Sequence, residues 1–454
     1  VRAHRDRPAS VIVNAAATRG GARGLAFNVL SDVFGPEQRG AHASFDVRAR
    51  QSHLDARDRA FAAQLAYGAI EQRRLIDWYL APYLTGRDKP LPAPIAEILR
   101  LGVYQLRFMG GVDKHAAVYE TVNLALRHGH RGTAGLVNAV LRRVSADDVA
   151  APDPTDFGSE NDYLGTAFSL PTWIVAQWGR EFNGQRESML KGVNAPPQAA
   201  LRVNALQGEV AAAQEALAGE GVRSRRSPFV AECLILEGGE RGDDAAGRWS
   251  VQGESACMPV DLLAPQPGER VLELCSGRGN KSVQIAARMG NEGVLCCVEL
   301  DARKARVLAE RLETAGVTCA ALVQGDARTA ELPQAQAVLL DAPCSGLGIL
   351  GRHPEARWRK KPDDAPRLAV LQAELLEVAA GRLEPGGRLV YAVCSTDPRE
   401  GRELIESFLE RRPEFGRAPL PERYAPFVRG GDVVVPAGVE GRDGFYIASL
   451  VRAP

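Results

Sequence analysis

Apolar residues recur at three- and four-residue spacings through the first third of the chain, the period of an amphipathic helix. Leu25, Ala26, Val29, Leu30 and Val33 trace one such stripe, and Gly35-Pro36 supplies its stop. Phe61, Leu65, Ile70, Leu75 and Trp78 trace a second helical region, and Ile95, Leu99, Val103 and Leu106 a third. Two more follow, from Val118 to Leu126 and from Leu136 to Val144. No alternating strand pattern competes, so residues 19–145 are predicted to form an all-α bundle. Residues 1–18 show no sustained period and carry several arginines, which predicts a basic arm. Residues 146–165 are rich in Asp, Pro, Ser and Asn and read as a linker. A small α+β module is expected over 166–255, with a helix holding Trp173 and Trp178, a strand at Leu201 to Asn204 and a helix at Glu209 to Leu217.

Beyond Pro267-Gly268 the pattern changes to strand alternating with helix. Strands are predicted at Arg270 to Cys275, Val294 to Glu299, Thr318 to Val323, Ala335 to Asp341 and Arg388 to Cys394. Helices are predicted between and after them, near Lys281 to Met289, Ala302 to Ala315, Asp364 to Leu383 and Glu400 to Glu410. That alternation makes residues 256–454 an α/β domain, a mostly parallel, Rossmann-like sheet with helices on both faces. Ligands of such sheets lie outside the carboxyl ends of the strands, and function is to be sought there.

Composition narrows the class. With 454 residues, 45% hydrophobic and 25% charged, the chain has the make-up of an ordinary multidomain soluble protein. Neither an 18-residue apolar run nor a secretory leader pattern is present, so a cytoplasmic location without a membrane partner is expected. All eight cysteines lie at or after Cys233 without a Cys-x-x-Cys pair, which predicts no metal site and no disulfide framework. The formal net charge of zero hides an asymmetry: residues 1–150 hold 21 Lys and Arg against 14 Asp and Glu. A basic third on a neutral chain suits contact with a polyanion, though a solvated helical surface accounts for it equally.

The strand ends carry the candidate chemistry. After the first strand comes Cys275-Ser276-Gly277-Arg278-Gly279-Asn280-Lys281, a small-residue turn into a helix that lets a ligand approach the backbone and lacks Walker spacing. Glu299 ends the second strand, where a carboxylate can accept from ribose hydroxyls, and Asp326 follows the third, where it can accept from an adenine amino group. An adenosine ligand without phosphates fits this order. S-adenosylmethionine is the expected cofactor, its sulfonium stabilised by carboxylates such as Glu273.

The fourth strand runs into Asp341-Ala342-Pro343-Cys344-Ser345-Gly346 and the fifth into Cys394-Ser395-Thr396. A single cysteine would ordinarily be packing, whereas two at the ligand edge, 50 residues apart in sequence, point to thiol chemistry. Cytosine C5 is too weak a nucleophile to take a methyl group unaided. Thiolate addition at C6 makes C5 enamine-like, and a carboxyl group at N3, for which Asp341 is placed, strengthens the addition.

At these residues the chain resembles the NOL1/NOP2/Sun family of RNA 5-methylcytosine methyltransferases, and more closely its RsmB (Sun/Fmu) group, which acts on 16S ribosomal RNA. The resemblance extends through Asp58-Arg59-Ala60-Phe61, Tyr67-Gly68, Gly102-Val103-Tyr104-Gln105-Leu106 and Leu136-Val137-Asn138-Ala139-Val140-Leu141-Arg142-Arg143, which are similar to a NusB-like RNA-binding domain. It continues at Ser169-Leu170-Pro171-Thr172-Trp173, Leu201-Arg202-Val203-Asn204, Val251-Gln252-Gly253-Glu254-Ser255, Arg352-His353-Pro354-Glu355 and Asp443-Gly444-Phe445.

The resemblance implies that Cys394 is the nucleophile and that Cys344 assists product release, with Asp341 and Lys281 completing the catalytic set. It also implies a cofactor site of Glu273, Cys275, Ser276, Gly277, Arg278, Gly279, Asn280, Lys281, Glu299, Asp326 and Asp341. Its implied substrate is 16S rRNA, free or in an assembling small subunit, and a monomer is expected. The first family motif reads Asp-x-Cys-Ala-Ala-Pro-Gly-Gly-Lys, and here Glu273, Arg278 and Asn280 replace its Asp, Pro and second Gly. Three other readings remain at this point: a catalytically silent rRNA assembly factor, a methyltransferase for another RNA such as tRNA, and a small-molecule or protein methyltransferase. The basic stretch Arg352 to Lys361, in which Trp358 lies among Arg357, Arg359, Lys360 and Lys361, is expected either to hold phosphates or to be a solvated loop.

Overall fold

The computed structural model describes residues 21–84, 90–147, 149–238 and 241–454. The expected basic arm, 1–18, lies outside the described residues. The chain divides into two compact units, one running to Thr172 and including His353–Glu355, the other comprising Trp173–Arg352 and Ala356–Pro454.

In the first unit the helices are α1 (Gly21–Phe34), α2 (Ala41–Arg50), α3 (Ala56–Glu71), α4 (Arg73–Leu80), α5 (Ala93–Phe108), α6 (Lys114–His128) and α7 (Arg131–Ala146). The stripe read from the sequence is the buried face of α1, where Leu25, Ala26, Val29, Leu30 and Val33 are all inside. Asp55 and Asp113 cap α3 and α6, accepting from the amides of Asp58 and Ala116. Two features differ from the sequence reading. Helix α2 is unforeseen because polar bonds fasten it: Ser44 and Arg48 both donate to Asp32. Part of the expected linker folds as α8 (Glu160–Ala167), which the Arg74 guanidinium ties in by donating to Thr166 Oγ1 and, beyond the helix, to the Leu170 carbonyl. Neither fastening leaves an apolar period to read.

The second unit opens with α9 (Thr172–Glu181) and α10 (Arg186–Gly192). Strands β1 (Ala200–Val203), β2 (Ser224–Arg226), β3 (Cys233–Leu236) and β4 (Trp249–Val251) form an antiparallel sheet in the order β2-β3-β1-β4, joined by α11 (Val210–Gly219). Helix α12 (Glu254–Leu263) then leads to the large sheet.

That sheet holds β5 (Arg270–Leu274), β6 (Val294–Glu299), β7 (Ala320–Gln324), β8 (Ala335–Asp341), β9 (Leu383–Val393), β10 (Phe415–Arg417), β11 (Val428–Arg429), β12 (Asp432–Val435) and β13 (Phe445–Arg452). Its order is β7-β6-β5-β8-β9-β13-β12-β11, with β10 also paired to β13. Pairing is parallel from β7 to β9 and antiparallel from β13 onward. The helices are α13 (Asn280–Arg288), α14 (Ala302–Thr314), α15 (Ala356–Arg359), α16 (Asp364–Arg382) and α17 (Arg402–Arg411). Side-chain alternation sorts the strands into two cores. Val271, Cys297, Leu339 and Val390 face α12, α13 and α14, while Leu272, Cys296, Leu340 and Tyr391 face α16 and α17. The antiparallel strands were not among the predicted elements. They matter because β13 lies beside β9 with Tyr446 opposite Val393, which brings Asp443-Gly444-Phe445 next to Cys394. Winding reverses at β5, between β6 and β8, which opens a crevice at its carboxyl end.

Candidate active site

The turn after β5 leaves regular structure at once, with Cys275, Gly277 and Gly279 at φ of 61°, 60° and 85°. Glu299 at the end of β6 holds this turn. One of its oxygens accepts from the Gly277 amide at 2.7 Å and the other from the Asp301 amide at 2.9 Å. Glu273 is buried beneath. Ser282 donates to its Oε2, but its Oε1 has no partner, and burial pushes the carboxyl up to about 7. The buried Oδ1 of Asn280 is likewise unbonded. Orphaned acceptors at a carboxylate-lined strand end suit a ligand that brings positive charge and donors. Ser276 bonds back to the Glu273 carbonyl, and burial raises the Cys275 thiol to about 12, which marks both as parts of the wall. Arg278 is exposed. Asp326 is already engaged, accepting from Arg328 Nη2 at 2.7 Å.

One strand over, the two cysteines come together. Cys344 Sγ lies 3.3 Å from Cys394 Sγ, both half-buried. Lys281, from the first turn of α13, donates to Asp341 Oδ2 at 2.6 Å. Burial by itself lowers the lysine, but the charge of Asp341 and the hydrogen bond to it outweigh this and raise the ammonium above its ordinary value. The hydrogen bond with Cys394, then burial, pushes the Cys344 thiol well above its ordinary value. Sequence reasoning placed Cys344, Cys394, Asp341 and Lys281 at one edge, and the fold assembles them there. Together they form two thiols in contact beside a cation–carboxylate pair.

Residues 260–451 match the family described as 16S rRNA methyltransferase RsmB/F, residues 21–146 the NusB family, and residues 170–241 the RsmF/B-like ferredoxin-like domain. The chain is similar to the ribosomal RNA small subunit methyltransferase B of Thermus thermophilus, at 38% identity over 95% of this chain and 97% of that one. Its likeness to the same-named protein of Pseudomonas putida is 33% over 91% and 94%. The crystal structure of PH0851 superposes with a TM-score of 0.80 at 25% identity, covering 97% of this chain and 99% of that one. The chain belongs to the RsmB/F family of 16S rRNA methyltransferases.

The RsmB/F family is S-adenosylmethionine-dependent, and its three parts correspond to the helical region, the four-stranded module and the large sheet. Contacts from distant segments hold the residues around the thiols. Gly348 donates to the Cys394 carbonyl at 3.0 Å and accepts from the Gly444 amide at 2.7 Å. A side chain on Gly348 would stand 2.0 Å from the Gly444 carbonyl oxygen, so both positions need glycine for backbone contact. Trp178 is buried and donates to Thr396 Oγ1 at 2.9 Å, two residues past Cys394. The basic stretch corrects one expectation. Arg357 is fully buried and donates to Asn194 Oδ1, Val193 O and Leu350 O, while Arg352 is paired with Asp443 at 2.7 Å. Arg357 is wholly engaged inside the fold, so it does not serve as a phosphate clamp. Sequence reasoning also missed Glu400, whose carboxylate reaches both cysteine loops. Its only linear signal is that it stands six residues after Cys394.

Proposed function

We propose that the chain transfers a methyl group to C5 of a cytosine in 16S rRNA through a covalent bond between Cys394 and C6. The observation that carries this reading is the pair of thiols 3.3 Å apart at adjacent strand ends, with the Lys281–Asp341 pair on the same edge. Cys394 as thiolate adds to C6, and the proton that N3 gains comes from the Lys281–Asp341 pair. S-adenosylmethionine, held by Glu273, the 275–281 turn and Glu299, supplies an electrophilic methyl group. Cys344 has by then lost one of its charged neighbours, because the Cys394 charge is consumed in the S–C6 bond. With its own proton passed to solvent, Cys344 as thiolate takes the C5 proton while Cys394 leaves C6 as thiolate, the C5–C6 double bond returns and N3 gives its proton back to the Lys281–Asp341 pair. A thiol whose ordinary ionisation is suppressed makes the stronger base once freed.

The helical region, with its basic balance, supplies rRNA affinity, and the substrate is free 16S rRNA or an assembling small subunit in the cytoplasm. A silent assembly factor would have no use for four intact reactive groups in one cluster. A denaturing gel of variants with cofactor and an rRNA fragment tests the mechanism. Cys394→Ser should neither methylate nor form an adduct, whereas Cys344→Ala should methylate once and remain attached to RNA. An adduct with Cys394→Ser alone would reverse the two roles, and undiminished turnover of both variants would end the covalent reading.

A further inference from the structure

Glu400 is fully buried on the short turn between β9 and α17, outside the set of groups that touch substrate in the mechanism above. A buried carboxylate persists only when its oxygens are satisfied. Here Oε1 accepts from the Ser345 amide at 2.8 Å and from Gln372 Nε2 at 3.0 Å, while Oε2 accepts from the hydroxyls of Ser345 and Ser395. Ser345 follows Cys344 and Ser395 follows Cys394, so one side chain is bonded to the residue after each thiol. Gln372 also donates to the Pro343 carbonyl, which extends the bracket to the residue before Cys344.

We propose that Glu400 is a positioning residue for product release, holding the Cys344 loop against the Cys394 loop so that the second thiol stands within reach of the adduct. The inference rests on the covalent reading above. The two loops depend on Glu400 unequally. Cys394 directly continues β9, which β8 and β13 flank, and its carbonyl is held by Gly348. Cys344 lies in an irregular segment whose next peptide is anchored by the carboxylate. Loss of Glu400 therefore displaces Cys344 first. The Glu400 charge also helps to keep the Cys344 thiol protonated, after its bond to Cys394 and its burial. Lys281 and Asp341 form the ion pair at this edge.

The test compares Glu400→Gln and the double variant Ser345→Ala with Ser395→Ala against the unaltered full chain. Three quantities are read: binding of S-adenosylmethionine, methyl transfer in a single turnover, and the fraction of protein attached to a 16S rRNA fragment at steady state. Glu400→Gln should bind cofactor normally and keep single-turnover transfer within a few-fold, while turnover falls and the attached fraction rises by about 10-fold or more. A residue that merely supports the fold would lose transfer and adduct together with cofactor binding. If the glutamine variant loses cofactor binding, the serine variant decides, and a normal attached fraction there overturns the proposal. Unchanged turnover of Glu400→Gln overturns it as well. Absence of an adduct between the unaltered protein and an RNA carrying 5-fluorocytidine would instead strike the covalent reading itself.

Discussion

Glu273 occupies the place where the family motif has aspartate, and its extra methylene does not bring it to solvent. Burial raises its carboxyl from an ordinary value of 4.5 to about 7. The folded chain then binds a proton more readily than the unfolded chain, so the stability linked to this group is complete below about pH 4.5 and is lost as pH rises towards 7. The full difference amounts to about 3 kcal/mol. Glu273→Gln should therefore flatten the pH dependence of denaturant unfolding between pH 5 and 7.5, leaving the variant relatively more stable at the upper end. Parallel curves for the two proteins would assign the ionisation to another group. Glu299 and Asp326 are separable in the same way. Glu299 anchors two backbone amides of the cofactor turn, whereas Asp326 is occupied by Arg328. Calorimetry with cofactor alone should show Glu299→Ala weakening binding by about 10-fold or more and Asp326→Ala by only a few-fold, since hydrogen bonds to charged groups contribute roughly 1.5–3 kcal/mol. RNA affinity should not move. Equal losses would mean that the Arg328 pair opens at no cost.

At the scale of elements, the position of Cys394 depends on a backbone crossing between the loop after β8 and the start of β13. Gly348→Ala would force its new methyl group against the Gly444 carbonyl and within 3.0 Å of the Cys394 carbonyl. Displacement of a reacting group by about 1 Å can cost about 100-fold in rate, and a loss of that order is expected in single-turnover transfer. Gly381→Ala near the end of α16 has open space around it and should leave activity intact while raising stability by roughly 0.5–1 kcal/mol. Two equally active variants would show that the crossing tolerates the added carbon. Among the elements themselves, β6 and β8 have the predicted bounds, Val294–Glu299 and Ala335–Asp341, because each is a predominantly apolar run ending in an acid. Helix α2 and helix α8 escaped because salt bridges and side-chain hydrogen bonds, not apolar stripes, hold them in place.

At the scale of the whole molecule, the distribution of charge predicts a division of labour. Residues 1–150 hold 21 Lys and Arg against 14 Asp and Glu, and residues 21–146 match the NusB family. Removing residues 1–145 should weaken binding of a 16S rRNA fragment and flatten its dependence on salt, since each lost phosphate contact releases fewer counterions. Cofactor affinity should be unaffected. An unchanged salt slope would assign the RNA contacts to the remainder of the chain.

Local periodicity and residue order were sufficient for most of the helical region, the parallel sheet and the presence of a thiol after each of two strands. Those features depend on neighbours within a turn or a strand, and a pattern of 3.6 or 2 residues records them directly. Only the tertiary structure decided that the two sulfurs stand 3.3 Å apart, that Lys281 meets Asp341, that Glu400 brackets both cysteine loops and that Arg357 is buried instead of facing RNA. Each of these is a contact between segments distant in sequence, made by polar groups whose partners are chosen by where strands end and loops cross. No period along the chain encodes such a meeting, because a hydrogen bond across the fold leaves no trace in the residues between its two ends.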